Sequence, residues 1–298
     1  MELLRFDAPE LDDGVREAQA AVEFPKGTLW IGYWNDGLAR VDLATGSHHW
    51  YHPGDADSAA LRATSVYTLA AGNDRLYIAS NRGLVVYRSD CDCLRGLNLP
   101  NWDAIDGSGV IVQSLLPLPD GVWAGMFGEG VVRFDRDDEA FHNQVRVAEH
   151  NDRLAQSMVR ALAIDADARL WIGSYGGGVQ WVDARERVIG APWTLHALNW
   201  EAPRIEARYL WSIEATPDGL LLGTGLGLYE SRAGRVRAID PAVERIRCSL
   251  QTGDGRRYVG AMSGLYRLDE GRLRRIEHAP ADTDPVVWSI AERGDELW

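Results

Sequence analysis

Apolar residues in this chain come in short runs, each closed by a glycine-rich or Asp/Gly turn, and one such phrase keeps returning. It reads LWIGSYGGGVQWVD at 170–183, LWIGYWNDGLARVD at 29–42, LYIASNRGLVVY at 76–87 and VWAGMFGEGVVRFD at 122–135. Shorter versions stand at 220–230 (LLLGTGLGLYE) and 257–269 (RYVGAMSGLYRLD), and a further copy begins at Leu297 and Trp298. One anchor per copy gives Trp30, Tyr77, Trp123, Trp171, Leu221, Tyr258 and Trp298, spaced by 47, 46, 48, 50, 37 and 40 residues. A period in the forties fits either helical pairs or four-stranded blades. The residue types decide for blades. β-Branched and aromatic runs flank each glycine turn, and glycine at this density would cost a helix about 1 kcal/mol per residue.

Upstream of each anchor the pattern predicts another strand, marked by a small residue and then an aliphatic one: Ala21 and Val22, Thr68 and Leu69, Ser114 and Leu115, Ala161 and Leu162, Ser212 and Ile213, Ser249 and Leu250, Ser289 and Ile290. Tight polar turns separate it from the anchor strand. A third strand ends in Asp at Asp42, Asp135, Asp183 and Asp269, and a weaker fourth follows. Four antiparallel strands per unit, set radially, make an all-β, seven-bladed β-propeller. The 298 residues are then one domain. LLRFD at 3–7 matches the third strands VVRFD and LYRLD, so one blade is expected to be split between the termini and left incomplete. A fragment of a longer polypeptide is the expectation that follows.

Composition narrows the partners. A net charge of −13 with no Lys/Arg cluster argues against nucleic acid. No apolar run approaches the roughly 20 residues that span a bilayer, and the N-terminus lacks the basic start and apolar core of a signal peptide. The three cysteines suggest no zinc site, and Cys91 and Cys93 stand too near each other to be expected to bridge. His48, His49 and His52 fall on an outer strand, and the other histidines show no metal spacing, so no metal or cofactor is expected.

The motif formed by Leu29, Trp30, Ile31 and Gly32, by Leu170 to Ser174 with Gly177 and Gly178, and by Val287, Trp288, Ser289 and Ile290 resembles the two-component-regulator propeller repeat. The copies at 220 and 257 lack the tryptophan, and Ala79 replaces the glycine in the copy at 76. The resemblance implies the periplasmic, ligand-sensing region of an inner-membrane hybrid histidine kinase or diguanylate cyclase. Its downstream membrane-anchored signalling domains would lie outside this chain, with a homodimer as one possible arrangement.

In a propeller, binding groups gather on loops at one face of a rigid scaffold. Turns between second and third strands carry Trp34, Asn35, Arg82, Phe127, Glu129 and Tyr175. The residue before each small position varies while its neighbours repeat, which singles out Tyr67, Gln113, Arg160, Trp211, Cys248 and Trp288. Longer connections bring Trp102, Trp200, Arg208 and Tyr209. From these the expected ligand-binding set is Trp34, Arg82, Phe127, Tyr175, Tyr67, Arg160, Tyr209, Trp211 and Trp288. Aromatic and Arg side chains around a channel suit a small-molecule or carbohydrate ligand, including an anionic one. Trp30, Trp123 and Trp171 are expected to pack between blades, with Trp211 and Trp288 divided between core and mouth. The repeated aspartates read as turn caps, since a catalytic acid should occur once. No catalytic residue is expected. Alternatives are a glycosidase or lyase built around Glu129 or Asp36, a protein-docking propeller, and a quinone-dependent dehydrogenase suggested by the single stretch from Asp42 to Trp50.

Overall fold

The computed structural model describes residues 17–52, 61, 63–97, 110–128, 130–137, 140–145, 158–185, 195–198, 200, 208–276, 286–294 and 296–297. Within them, six antiparallel four-stranded sheets follow one another along the chain, each paired in simple sequential order. The first uses Ala18–Glu23, Thr28–Tyr33, Leu38–Asp42 and His48–Tyr51. The leading strands of the other five are Val66–Ala71, Val112–Leu118, Val159–Ile164, Leu210–Thr216 and Ile246–Gln251. Each leading strand neighbours the next along the chain. The sheets are therefore blades of a β-propeller around a central channel.

Among the described residues six complete blades are present, not the seven expected. At the seventh position the described residues hold 286–291 and a two-stranded hairpin, Glu292–Arg293 paired with Glu296–Leu297. The Val287 N–H donates to the Ala261 carbonyl at 3.0 Å, and the Gly253 N–H donates to the Glu292 carboxylate at 3.0 Å. Arg293 reaches Glu23 at 3.6 Å. This segment thus joins the sixth blade to the first. Leu3–Asp7, expected to complete a split blade, lie outside the described residues. Counting anchors counts where a motif starts, whereas a blade requires four paired strands.

Both faces of the first five anchor strands are buried, because each blade is flanked on both sides, whereas Tyr258 of the sixth is only half-buried. In the second blade Leu76 and Ile78 face the first blade's Trp30 and Leu38. The alternate residues Tyr77 and Ala79 face Val122, Ala124 and Phe134 of the third. Trp123 packs on the fourth blade and Trp171 on the fifth. The expected blade-to-blade tryptophans are accordingly buried, with Trp30 at 0%, Trp123 at 1% and Trp171 at 7% exposure. Leu221 fills the same place against the sixth blade, so an aliphatic residue can stand in for the indole.

Three of the four repeated aspartates cap turns as expected. Asp42 accepts the N–H groups of Ala44 and Thr45 at 3.0 and 2.8 Å, Asp135 that of Asp137 at 2.9 Å, and Asp183 that of Arg185 at 2.9 Å. Asp269 instead holds the Arg267 guanidinium at 2.8 Å. The Arg185 guanidinium and backbone N–H hold the Asp183 carboxyl well down, to about 2. A depressed carboxylate contributes stability above its unfolded value and loses it as pH falls through the folded value. Asp183→Asn should therefore lower the thermal midpoint at pH 7, with the difference from the parent closing between pH 3.8 and about 2. A difference that persists unchanged into acid would show that the charge contributes nothing.

Cys91 and Cys93, not expected to pair, form a disulfide. Asp92 between them has φ +50°, which folds the chain so that the two Cα atoms stand 5.2 Å apart, inside the bridging range. The same loop presents Asp92 to Arg40 of the first blade at 2.5 Å and to the Tyr87 hydroxyl at 2.7 Å.

Candidate functional site at the channel mouth

Each of the six leading strands carries one residue more than its partner. Ala20 pairs with Gly32 and Ala18 with Tyr33, leaving Gln19 over. The same step leaves Tyr67 between Val66 and Thr68, Gln113 between Val112 and Ser114, and Arg160 between Val159 and Ala161. It leaves Trp211 between Leu210 and Ser212 and Arg247 between Ile246 and Cys248. A bulge frees its extra residue from the alternation of the ladder and re-aims the side chain. All six of these residues, with Trp288 from the seventh position, line one recess of about 270 Å³ at the channel mouth.

The pieces beside each bulge have their own work. The aliphatic residue before it wedges against the repeat glycine of the preceding blade: Val66 on Gly32, Val159 on Gly125 and Ile246 on Gly223; at the seventh position Val287 meets Gly260 in the same way. Ahead of the bulge, the residue that opens the second-to-third turn donates its N–H to the residue just before the leading strand. Trp34 bonds the Glu17 carbonyl at 2.9 Å, Phe127 that of Ile111 at 2.9 Å and Tyr175 that of Met158 at 3.0 Å. Rim and recess are thereby tied to one rigid edge. What repeats is the frame; what varies is the residue it presents.

Chemically the recess is lopsided. Trp288, Arg247, Trp211 and Arg160 run in turn around one side. The Arg247 guanidinium lies 4.3 Å from the Trp288 ring centre and 3.5 Å from that of Trp211. Arg160 lies 4.3 Å from Trp211 and 5.8 Å from Tyr175. Tyr175 stacks on Tyr209 at 4.3 Å and meets Trp211 edge-on at 5.6 Å. Burial lowers the Arg160 pKa. Arg247 is pushed down to about 10, by burial first and then by the neighbouring cations Arg160 and Arg245, and stays charged at neutral pH. Tyr67 and Gln113 supply neutral polar groups to the lining, and burial raises the Tyr67 hydroxyl.

No family model and no curated protein matches this chain. Solved structures do match it. Over 97% of the chain it superposes on the extracellular domain of BT4673 from B. thetaiotaomicron, a protein assigned as a one-component system, with 17% identity and a TM-score of 0.73. A second structure of that domain, assigned to a hybrid two-component system, matches over 94% with 16% identity and a TM-score of 0.72. These structures share its fold. The chain spans only 37% and 36% of their lengths. The same likeness extends to a protein assigned as a 6-phosphogluconolactonase from Bacteroides uniformis. There the TM-score is 0.59 at 16% identity, over 86% of this chain and 83% of that one. Fold does not fix function here.

Of the residues singled out in the sequence, Tyr67, Arg160, Trp211 and Trp288 stand in the recess, with Gln113 beside them. Tyr175 and Tyr209 back its wall, and Trp34 is joined to it edge-on through Tyr67 at 5.5 Å. Phe127, 47% exposed, and the exposed Arg82 lie outside the lining. Trp200 is not a mouth residue; it packs on Tyr229 at 5.1 Å in the core between the fourth and fifth blades. Glu129 and Trp102 lie outside the described residues.

Cys248 also lines the recess, but from the small position opposite Gly260, where burial lifts its thiol to about 12; the residue that the bulge presents is Arg247. Gln19 was missed for the same reason, since Ala20, not Ala21, is the small residue of the first blade. Reading the rule as aliphatic, any, small would have found Arg247, because Ile246, Arg247 and Cys248 then align with Val159, Arg160 and Ala161.

Proposed function

We propose that this chain is the ligand-sensing, extracytoplasmic propeller of a bacterial signalling protein, and that it binds a small molecule or one unit of an oligosaccharide in the channel-mouth recess. The observation that carries the reading is the set of bulges. Six blades repeat the same frame, and each uses it to put one side chain, Gln, Tyr, Arg or Trp, into a common recess. At about 270 Å³ the recess sits just under the size of drug-sized sites, about 300–1,000 Å³. That suits a small ligand or a terminal sugar. The fold it shares with extracellular domains of one-component and hybrid two-component systems supports the signalling role and the location. In this reading an inner-membrane anchor and a histidine kinase or diguanylate cyclase lie in the rest of the protein. Ligand-induced change in blade packing or in a homodimer carries the signal to them.

The lining as described holds two cations and no carboxylate, whereas glycoside hydrolysis needs a carboxylate pair about 5–9.5 Å apart. Binding is therefore favoured over catalysis. Trp211 and Trp288 sit in the recess, so intrinsic fluorescence can report occupancy. Trp211→Ala should weaken ligand binding at least about tenfold, a loss of about 1.4 kcal/mol, because it removes the half-buried ring that positions both recess arginines. Phe127→Ala, outside the lining, should leave affinity unchanged. Equal affinity in parent and Trp211→Ala, by calorimetry, would remove the recess as the site.

A further inference from the structure

We infer, resting on the recess being the binding site, that its ligand carries an acid group seated against Arg160 and Arg247, on a small polar body such as a sugar ring. Elsewhere this chain habitually sets arginines beside carboxylates: Arg133 with Asp120 at 2.5 Å, Arg185 with Asp183 at 2.7 Å, Arg257 with Glu214 at 2.8 Å and Arg267 with Asp269 at 2.7 Å. Among the described residues, every other arginine that is not exposed follows this habit. The two mouth arginines break it. Among the described residues neither pairs with a carboxylate, and each donates only to a thioether, a weak acceptor. Arg160 Nε reaches the Met158 sulfur at 3.3 Å, and Arg247 Nη2 the Met262 sulfur at 3.1 Å. Arg247 Nε and Nη1 are buried with no acceptor among the described residues.

The aromatic rings position these cations without neutralising them. Trp211 is shared between both guanidinium groups, and Trp288 also faces Arg247. A planar guanidinium held in this way loses little freedom when it binds and keeps its in-plane N–H groups for an oxyanion. Like charges set side by side in a partly dry recess repel, and after burial this repulsion also lowers the Arg247 pKa. An incoming carboxylate, sulfate or phosphate relieves that repulsion and supplies the missing acceptors at once. Tyr67, Gln113 and Gln19 complete the lining with groups that hydrogen-bond neutral hydroxyls. Because guanidinium groups occupy the neighbourhood of Trp211, that indole orients cations and is not the platform on which a sugar face stacks.

Glucuronate, glucose 6-phosphate, glucose and inorganic phosphate, titrated against the purified chain by calorimetry and tryptophan fluorescence, test this. Either acidic sugar should bind at least tenfold more tightly than glucose, and weaken as salt is raised. Comparing the two acidic sugars separates carboxylate from phosphate as the acid, and inorganic phosphate shows how much the sugar ring adds. Arg247→Gln and, independently, Arg160→Gln should each cost the acidic sugar tenfold or more and leave glucose unchanged. Arg247→Lys, which keeps the charge, should recover part of the loss with an unchanged thermal midpoint. Equal binding of glucose and both acidic sugars, acidic-sugar affinities that ignore both Gln variants, or no saturable binding of either acidic sugar at millimolar concentration overturns the inference. Neutral-sugar binding that Trp211→Ala abolishes and the arginine variants do not would sink the acid group alone. Binding indifferent to every recess substitution would sink the site as well.

Discussion

Trp30→Ala should destabilise the protein by about 3–5 kcal/mol, the range for a fully buried large aromatic. The indole is 0% exposed. It lies 4.6 Å from the Tyr87 ring of the next blade and stacks on Tyr51 at 5.7 Å. Its Nε1–H donates to the Phe24 carbonyl at 2.5 Å. Arg40 lies over the same indole at 5.4 Å and reaches Asp92 in the disulfide loop. Truncation therefore opens a cavity, strands a carbonyl and loosens the Arg40 link between first and second blades together. A thermal scan should show a fall of more than 5 °C, at roughly 2–4 °C per kcal/mol for chains of this order of size. A shift under 2 °C would mean that the interblade core does not depend on this ring.

The tryptophans were legible because burial on both faces turns an anchor strand into an unbroken apolar run, and the run repeats. The same reasoning explains why losing the indole at Leu221 and Tyr258 did not hide those blades: the strand, not the ring, is the repeating object. Other features depend on chain meeting chain. A bulge is one residue too many relative to a partner strand, so no strand read alone reveals it. At Ile246, Arg247, Cys248 and Ser249 two small residues stand together, and only the pairing of Cys248 with Gly260 shows which is the repeat position. Trp200 looked like a loop aromatic because nothing local signals its contact with Tyr229. The Cys91–Cys93 pairing turns on the left-handed backbone at Asp92, which spacing does not disclose. The candidate mouth was thus readable as positions that vary within a fixed frame. One of its two cations, Arg247, was displaced by one residue.

That fixed frame predicts its own weak point. Gly32→Ala should cost about 1–3 kcal/mol by overpacking, and Gly32→Val more. A Cβ at Gly32 would stand 2.5 Å from Val66 Cγ1, 2.9 Å from Val66 Cβ and 3.3 Å from the Val66 carbonyl oxygen. Val66 is 0% exposed and immediately precedes the bulge residue Tyr67. The methyl has nowhere to go except through the backbone that aims Tyr67 into the recess. Relief by moving the second blade outward would displace Tyr67 and, with it, its contact with Trp34. The substitution should therefore lower the thermal midpoint and ligand affinity together, although residue 32 lies outside the recess lining. Gly46→Ala is the control: its added Cβ meets nothing within 4 Å, and its φ of +72° makes the cost one of backbone conformation. That variant should lose stability with binding intact. If Gly32→Ala behaves like Gly46→Ala, the glycine is a turn-like convenience, and the coupling between blade packing and recess geometry fails with it.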